Sequence, residues 1–119
     1  MPKTIIVIED DTDILDMMTM ILKDEGYAVV GSTDCSPLDE LLNHKPDLIL
    51  LDNRLPDGSG KDACRRLKED AATRHIPVVL VSANQHIEQL AADSLADGYV
   101  SKPFDLDELV ATVHKYTGN

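Results

Sequence analysis

At 119 residues and a formal net charge of -11, from 22 Asp and Glu against 11 Lys and Arg, the chain fits one compact domain whose core needs no disulfide or structural metal. Like-charge repulsion disfavours a generic nucleic-acid or anionic-membrane surface, so no direct nucleic-acid or membrane partner is expected. Cys35 and Cys64 lie far apart without CxxC spacing, which reads as reduced thiols rather than a zinc site, and no apolar run approaches the ~20 residues that span a bilayer; a cytoplasmic, unprocessed protein is expected.

Taken in chain order, apolar runs rich in Ile, Val and Leu recur at residues 4–8, 27–31, 47–51, 77–81 and 98–100. Each precedes a longer segment with helical spacing, which predicts five βα units. The first helix carries Ile14, Met18, Ile21 and Leu22 on one stripe and closes at Gly26. Pro37 and Pro46 bracket the second. The third follows a turn-rich loop from Asn53 to Gly60 and holds Lys61, Arg65, Arg66 and Lys68, read as a solvated face. Pro77 opens the fourth strand, and the fourth helical segment, 84–95, has the weakest stripe, Ile87, Leu90, Ala91 and Leu95; it is expected to be the most mobile helix. Pro103 follows the fifth strand, and the last helix aligns Leu106, Leu109, Val110 and Val113.

Nearly continuous apolar strands, Ile5 to Ile8 and Leu48 to Leu51, suit central parallel strands covered by helices on both faces. With right-handed crossovers, the expected fold is a doubly wound, five-stranded parallel α/β sheet, flavodoxin-like, in strand order 2-1-3-4-5 with five helices.

Four of these runs end in a group suited to phosphoryl chemistry: Glu9, Asp10 and Asp11 after the first, Asp52 after the third, Ser82 after the fourth and Lys102 after the fifth. Strand ends are where open α/β sheets place their sites. Adjacent carboxylates raise one another's proton affinity unless a cation neutralises them, and hard oxygen ligands suit Mg²⁺. The plainer reading is that Asp10 or Asp11 caps the first helix and the remaining charge is solvated. Asp52 points the balance toward a shared crevice, where a carboxylate nucleophile accepts a phosphoryl group, a metal offsets its charge, and Lys102 and Ser82 contact the phosphoryl oxygens.

These residues resemble the receiver domain of two-component response regulators over essentially the whole chain. Ile5 to Asp11 is similar to that family's acidic motif, LILLDNRLPDGSG from Leu48 to Gly60 to its phosphoacceptor loop, VLVSA from Val79 to Ala83 to its hydroxyl motif, and DGYVSKPF from Asp97 to Phe104 to its lysine motif. The resemblance implies that Asp52 is phosphorylated by a sensor histidine kinase or a histidine phosphotransfer protein. It implies Mg²⁺, or Mn²⁺, on Asp10, Glu9, Asp52 and the Arg54 backbone carbonyl, with Glu9 acting through water and Asp11 outside the pair. Lys102 and Ser82 would bind the phosphoryl group, the Lys102–Pro103 bond would be cis, and Arg54 and Asn84 would tune dephosphorylation. Ser82 and Tyr99 would act as the switch, reshaping the surface of the fourth helix, fifth strand and fifth helix toward a downstream target or a homodimer. The Glu-Asp pair in place of Asp-Asp, and Ser82 in place of the commoner Thr, both keep this chemistry.

The expected function is therefore that of a signalling switch that catalyses its own phosphorylation and dephosphorylation without being a turnover enzyme. Residues 1–119 are read as one receiver domain with no output module in this chain, which either acts alone through its surface or is a fragment of a longer chain. A haloacid-dehalogenase-type phosphatase is the first rival, weakened by Thr12 where its second Asp belongs. A flavodoxin-like cofactor binder is the second, weakened by carboxylates where a phosphate would sit. A third is an interaction module that is never phosphorylated. His44, His75, His86 and His114 share no motif spacing and receive no role.

Overall fold

The structure is a computed structural model that describes residues 2–55 and 58–118; Pro56 and Asp57 of the expected phosphoacceptor loop lie outside the described residues. Five strands, Thr4–Ile8 (β1), Ala28–Ser32 (β2), Leu48–Asp52 (β3), Val78–Ser82 (β4) and Gly98–Ser101 (β5), form one parallel sheet in the order β2-β1-β3-β4-β5. Helices Thr12–Asp24 (α1), Leu38–Leu41 (α2), Gly60–Glu69 (α3), Ile87–Asp93 (α4) and Leu106–Thr117 (α5) connect them. The expected class, strand order and helix number all hold.

Alternation along the central strands divides the core in two, because successive side chains leave opposite faces of a strand. Ile6, Ile8, Ile49, Leu51, Val78 and Leu80 meet α2, α3 and α4 through Leu41, Cys64, Leu67 and Ile87. Ile5, Val7, Leu48, Leu50, Val79 and Val81 meet α1 and α5 through Met18, Leu22, Leu109 and Val113. Both faces are thus covered, which is why these strands read as unbroken apolar runs.

Three expectations need correction. Strands two to four begin and end one residue later than predicted, so Asp52 and Ser82 are the last residues of β3 and β4 rather than the residues after them. Leu95 is not part of the α4 stripe: the helix stops at Asp93, Leu95 adopts φ 66° in the closing turn, and its side chain is exposed. Leu106, expected on the last stripe, is also exposed, while Leu109 and Val113 are fully buried. Between Pro37 and Pro46 the chain forms only a four-residue helix followed by a 3-10 turn, Leu42–His44. The loop after β3 contains a two-residue antiparallel pairing of Arg54–Leu55 with Gly58–Ser59, which the turn-rich composition did not reveal.

The basic concentration on α3 is engaged with acidic neighbours. Lys68 Nζ lies 2.8 Å from Asp97 Oδ2, Arg65 Nε 3.6 Å from Glu69 Oε2, and Lys61 Nζ 4.0 Å from Asp93 Oδ2. Arg65 Nη1 also donates to the Asp93 carbonyl at 2.5 Å, which ties the end of α4 to α3.

Candidate functional site

The sheet register sets the site. Ile8 pairs with Leu51, so Glu9 and Asp52 follow one another across adjacent strands at the carboxyl edge. Backbone bonds hold the residues beyond each strand: Glu9 N donates to Ser32 O at 3.0 Å, Asn53 N to Val81 O at 3.1 Å and Lys102 N to Ser82 O at 2.8 Å. The side chains at this edge therefore start from a fixed ladder rather than from free loops. Asp11 is the N-cap of α1, its Oδ1 accepting from the Asp13 and Ile14 amides at 3.0 and 3.2 Å, so the capping reading is met by Asp11 while Asp10 faces the crevice.

The carboxylates of Glu9, Asp10 and Asp52 each bring an oxygen within 4.8 Å of the others. Glu9 and Asp52 are buried, at 1% and 4% exposure, and Asp10 is exposed. Lys102 Nζ lies 2.6 Å from Glu9 Oε1 and 3.6 Å from Asp52 Oδ2. The Arg54 amide donates to Asp52 Oδ1 at 3.2 Å, and the Asn84 amide donates to Ser82 Oγ at 3.1 Å. Asp10, Asp52, Arg54, Ser82, Asn84 and Lys102 line a cavity of about 450 Å³. The Lys102–Pro103 peptide is cis. Tyr99 stands apart from this group, exposed on the edge strand β5.

Burial, reinforced by Glu9 and Asp10, pushes the Asp52 carboxyl up to about 8, against the lowering effect of the Arg54 amide. Asp10 is held below the ordinary carboxylate value, chiefly by its hydrogen bond with Asp52 and then by Glu9 and Lys102. The two carboxyls are thus pushed apart, Asp52 up and Asp10 down. Burial works against the charge of Lys102, but Glu9, Asp52 and Asp10 outweigh it and hold its pKa above the ordinary value. Three carboxyl groups gathered beside one ammonium give an all-oxygen donor set, which fits a hard divalent cation.

Sequence reasoning overlooked two residues here. Asn53 lines the cavity with its buried Oδ1 lacking a hydrogen-bond partner among the described residues. Gly60, treated only as the end of the loop, packs directly on the Asp52 backbone. Neither has a signal in residue type alone, since both depend on how the loop closes on β3.

Comparison with known proteins identifies the family and agrees with the fold. The response regulator receiver domain family matches residues 5–114, and the chain belongs to that family. It is 40% identical over 116 residues to the phosphate regulon transcriptional regulatory protein PhoB of Klebsiella pneumoniae, covering 95% of this chain and 51% of that protein. It thus spans about half the length of the first curated relatives it matches. It is 31% identical over 122 residues to the polar-differentiation response regulator DivK of Brucella anthropi, covering 100% of this chain and 99% of that protein. Among solved structures, a CheY-like response regulator receiver domain protein from Methanospirillum hungatei superposes with a TM-score of 0.88 at 25% identity, over 99% of this chain and 95% of that one. The family implies phosphoacceptor signalling, and its membership displaces the phosphatase and flavin-type readings of the same strand ends. No helix among the described residues is long and apolar enough to cross a membrane.

Proposed function

We propose that residues 1–119 act as one receiver domain that takes a phosphoryl group from a phosphohistidine donor, on a sensor histidine kinase or a histidine phosphotransfer protein, onto Asp52. The observation that carries this reading is the grouping of Asp52 with Glu9, Asp10 and Lys102 around one crevice. Glu9, Asp10, Asp52 and the Arg54 carbonyl are the residues that would hold Mg²⁺ or Mn²⁺. When bound, that ion supplies positive charge that lowers repulsion between the carboxylates and the incoming phosphoryl group.

In the transfer, an Asp52 carboxylate oxygen forms a bond to phosphorus while the bond from phosphorus to the donor imidazole nitrogen breaks, its electron pair staying on the ring. Ionised Asp52 is the competent form, and loss of its proton is favoured as cations gather at the crevice. Lys102 leaves its Glu9 contact to meet the phosphoryl oxygens, and the Ser82 hydroxyl donates to one of them. Movement of Ser82, with Tyr99 turning from its exposed position, biases two arrangements of the α4, β5 and α5 surface toward the one a downstream target or a second copy recognises. Arg54 and Asn84, at the cavity rim, set water access to the acyl phosphate and so the lifetime of the signal. Self-catalysed gain and loss of the phosphoryl group make the domain a switch rather than a turnover enzyme.

The test is incubation with acetyl phosphate and Mg²⁺ followed by intact-mass measurement of the wild type and Asp52→Asn. One added phosphoryl group on the wild type, absent from the variant and lost when Mg²⁺ is chelated beforehand, is the expected result. Equal labelling of both chains, or none on the wild type, would overturn the proposal and favour an unphosphorylated interaction module.

A further inference from the structure

The first residue of α3 touches the proposed phosphoacceptor through its lack of a side chain. A Cβ built on Gly60 would overlap the Asp52 carbonyl oxygen outright and would lie 2.9 Å from the Asp52 carbonyl carbon and 3.0 Å from Asn53 Cα. All three neighbours are backbone, which cannot swing aside as a flexible side chain can. The backbone of Gly60 is not left-handed, so glycine is not required there by its torsion angles. In a helix, glycine carries a conformational cost relative to alanine. What the position requires is vacant space, and the vacancy faces Asp52.

The contact is fixed from both sides. Gly60 N donates to Asn53 O at 2.9 Å, closing the loop onto the residue after Asp52, and Gly60 itself is buried. On the opposite side, Asn53 N is anchored to Val81 O at 3.1 Å in β4. The Asp52–Asn53 peptide is therefore clamped between β4 and the start of α3. The Asp52 carboxylate leaves the Cα at one end of that peptide, and the Arg54 amide that bonds it at 3.2 Å belongs to the next peptide along.

We propose that Gly60 is a positioning residue: by admitting the first turn of α3 against the Asp52 peptide, it sets where the Asp52 carboxylate stands relative to Glu9 and Asp10. The inference rests on the metal-binding reading of that cluster. An alanine at this position forces the peptide or the helix start to move, and the three carboxylates lose their common centre.

The experiment compares the wild type, Gly60→Ala and Ala63→Gly, the last a helix-weakening change at a buried residue three positions further along α3 that adds no atom beside the Asp52 peptide. Mg²⁺ affinity is read by calorimetric titration, in an excluded osmolyte that favours the compact state. Amide exchange and NMR shifts at Asn53 and Arg54 are read in metal-free buffer. Gly60→Ala is expected to weaken Mg²⁺ binding about 10-fold or more, in the range found for residues that orient metal ligands. It should also shift the Asn53 and Arg54 amides and speed their exchange, while Ala63→Gly lowers stability and leaves both readouts unchanged. Equal affinity and unshifted amides in Gly60→Ala, or failure of that variant alone to fold even with osmolyte, overturn the positioning role. If the wild type itself binds no Mg²⁺, the functional reading fails, and the metal-free amide comparison alone decides whether Gly60 positions Asp52.

Discussion

Lys102 is paired with Glu9, Nζ to Oε1 at 2.6 Å, in preference to the phosphoacceptor candidate, whose nearer oxygen is 3.6 Å away. The extra methylene of Glu9 over an aspartate lets a residue just past β1 reach across to the lysine just past β5. Asp52 is consequently left buried with less compensation than its position beside a lysine suggests, in keeping with its raised pKa of about 8. Glu9→Gln removes one of the charges that raise Asp52 and releases Lys102 toward it. The Asp52 carboxyl carbon, followed by NMR in metal-free buffer, is expected to titrate below the wild-type value.

A pH dependence of stability follows from the same burial. The folded pKa of Asp52, about 8, exceeds its ordinary value of 3.8, so between those pH values the folded chain retains a proton that the unfolded chain has lost. Stability contributed by this group therefore falls as pH rises through that window. Asp52→Asn removes the effect, and its advantage over the wild type in metal-free buffer is expected to grow from pH 5 to pH 7.5, reaching on the order of 2 kcal/mol after allowance for screening. Thermal unfolding followed by circular dichroism at several pH values checks this, and saturating Mg²⁺ should narrow the gap.

The sequence made the large features of this molecule legible because they rest on repeated physical patterns. Apolar runs such as Ile5 to Ile8 and Leu48 to Leu51 declared central strands, and the groups ending those runs were gathered at one edge by parallel register. What escaped was local. Leu95 matched helical spacing, yet the helix ends at Asp93 and the left-handed turn carries Leu95 into solvent. Leu106 sits at the first position of α5, before the helix has turned its apolar face inward. The partnership of Lys102 with Glu9 and the fit of Gly60 against Asp52 are distances between segments remote in sequence, and no spacing rule encodes them.

Asp11 and Asp10 are adjacent and alike in sequence but separable by experiment. Asp11 bonds two amides at the start of α1 and is expected to act on stability alone. Asp11→Ala should cost about 1 kcal/mol, and Asp11→Ser should restore most of it. Mg²⁺ affinity measured on both variants should stay near the wild-type value, whereas Asp10→Ala should lose it.

Asp97 holds the entry to β5 in place. Its Oδ2 accepts from the Val78 amide and from Lys68 Nζ, both at 2.8 Å. Asp97→Ala leaves a buried-strand amide without that acceptor and should cost about 2 kcal/mol in urea unfolding. Asp97→Asn keeps an oxygen for the amide and should cost less.

Cys64 is fully buried, and burial raises its thiol pKa to about 11. The native protein is expected to resist alkylation at Cys64 at neutral pH, with modification appearing only as the chain unfolds. Iodoacetamide labelling mapped by peptide mass, with and without urea, distinguishes it from the less buried Cys35.

The crevice at the carboxyl edge of the sheet draws its walls from residues just past β1 and β5 and from the last residues of β3 and β4. Its carboxylate triad needs only β1 and β3 side by side, and Ser82 and Lys102 join it once β4 and β5 have added to the sheet. A ligand that touches Lys102 as well as the carboxylates must therefore stabilise the sheet from β1 to β5, whereas one held by the carboxylates alone stabilises the central pair of strands. A copy clipped before β5 would keep its three carboxyl groups and lose the ammonium that balances them.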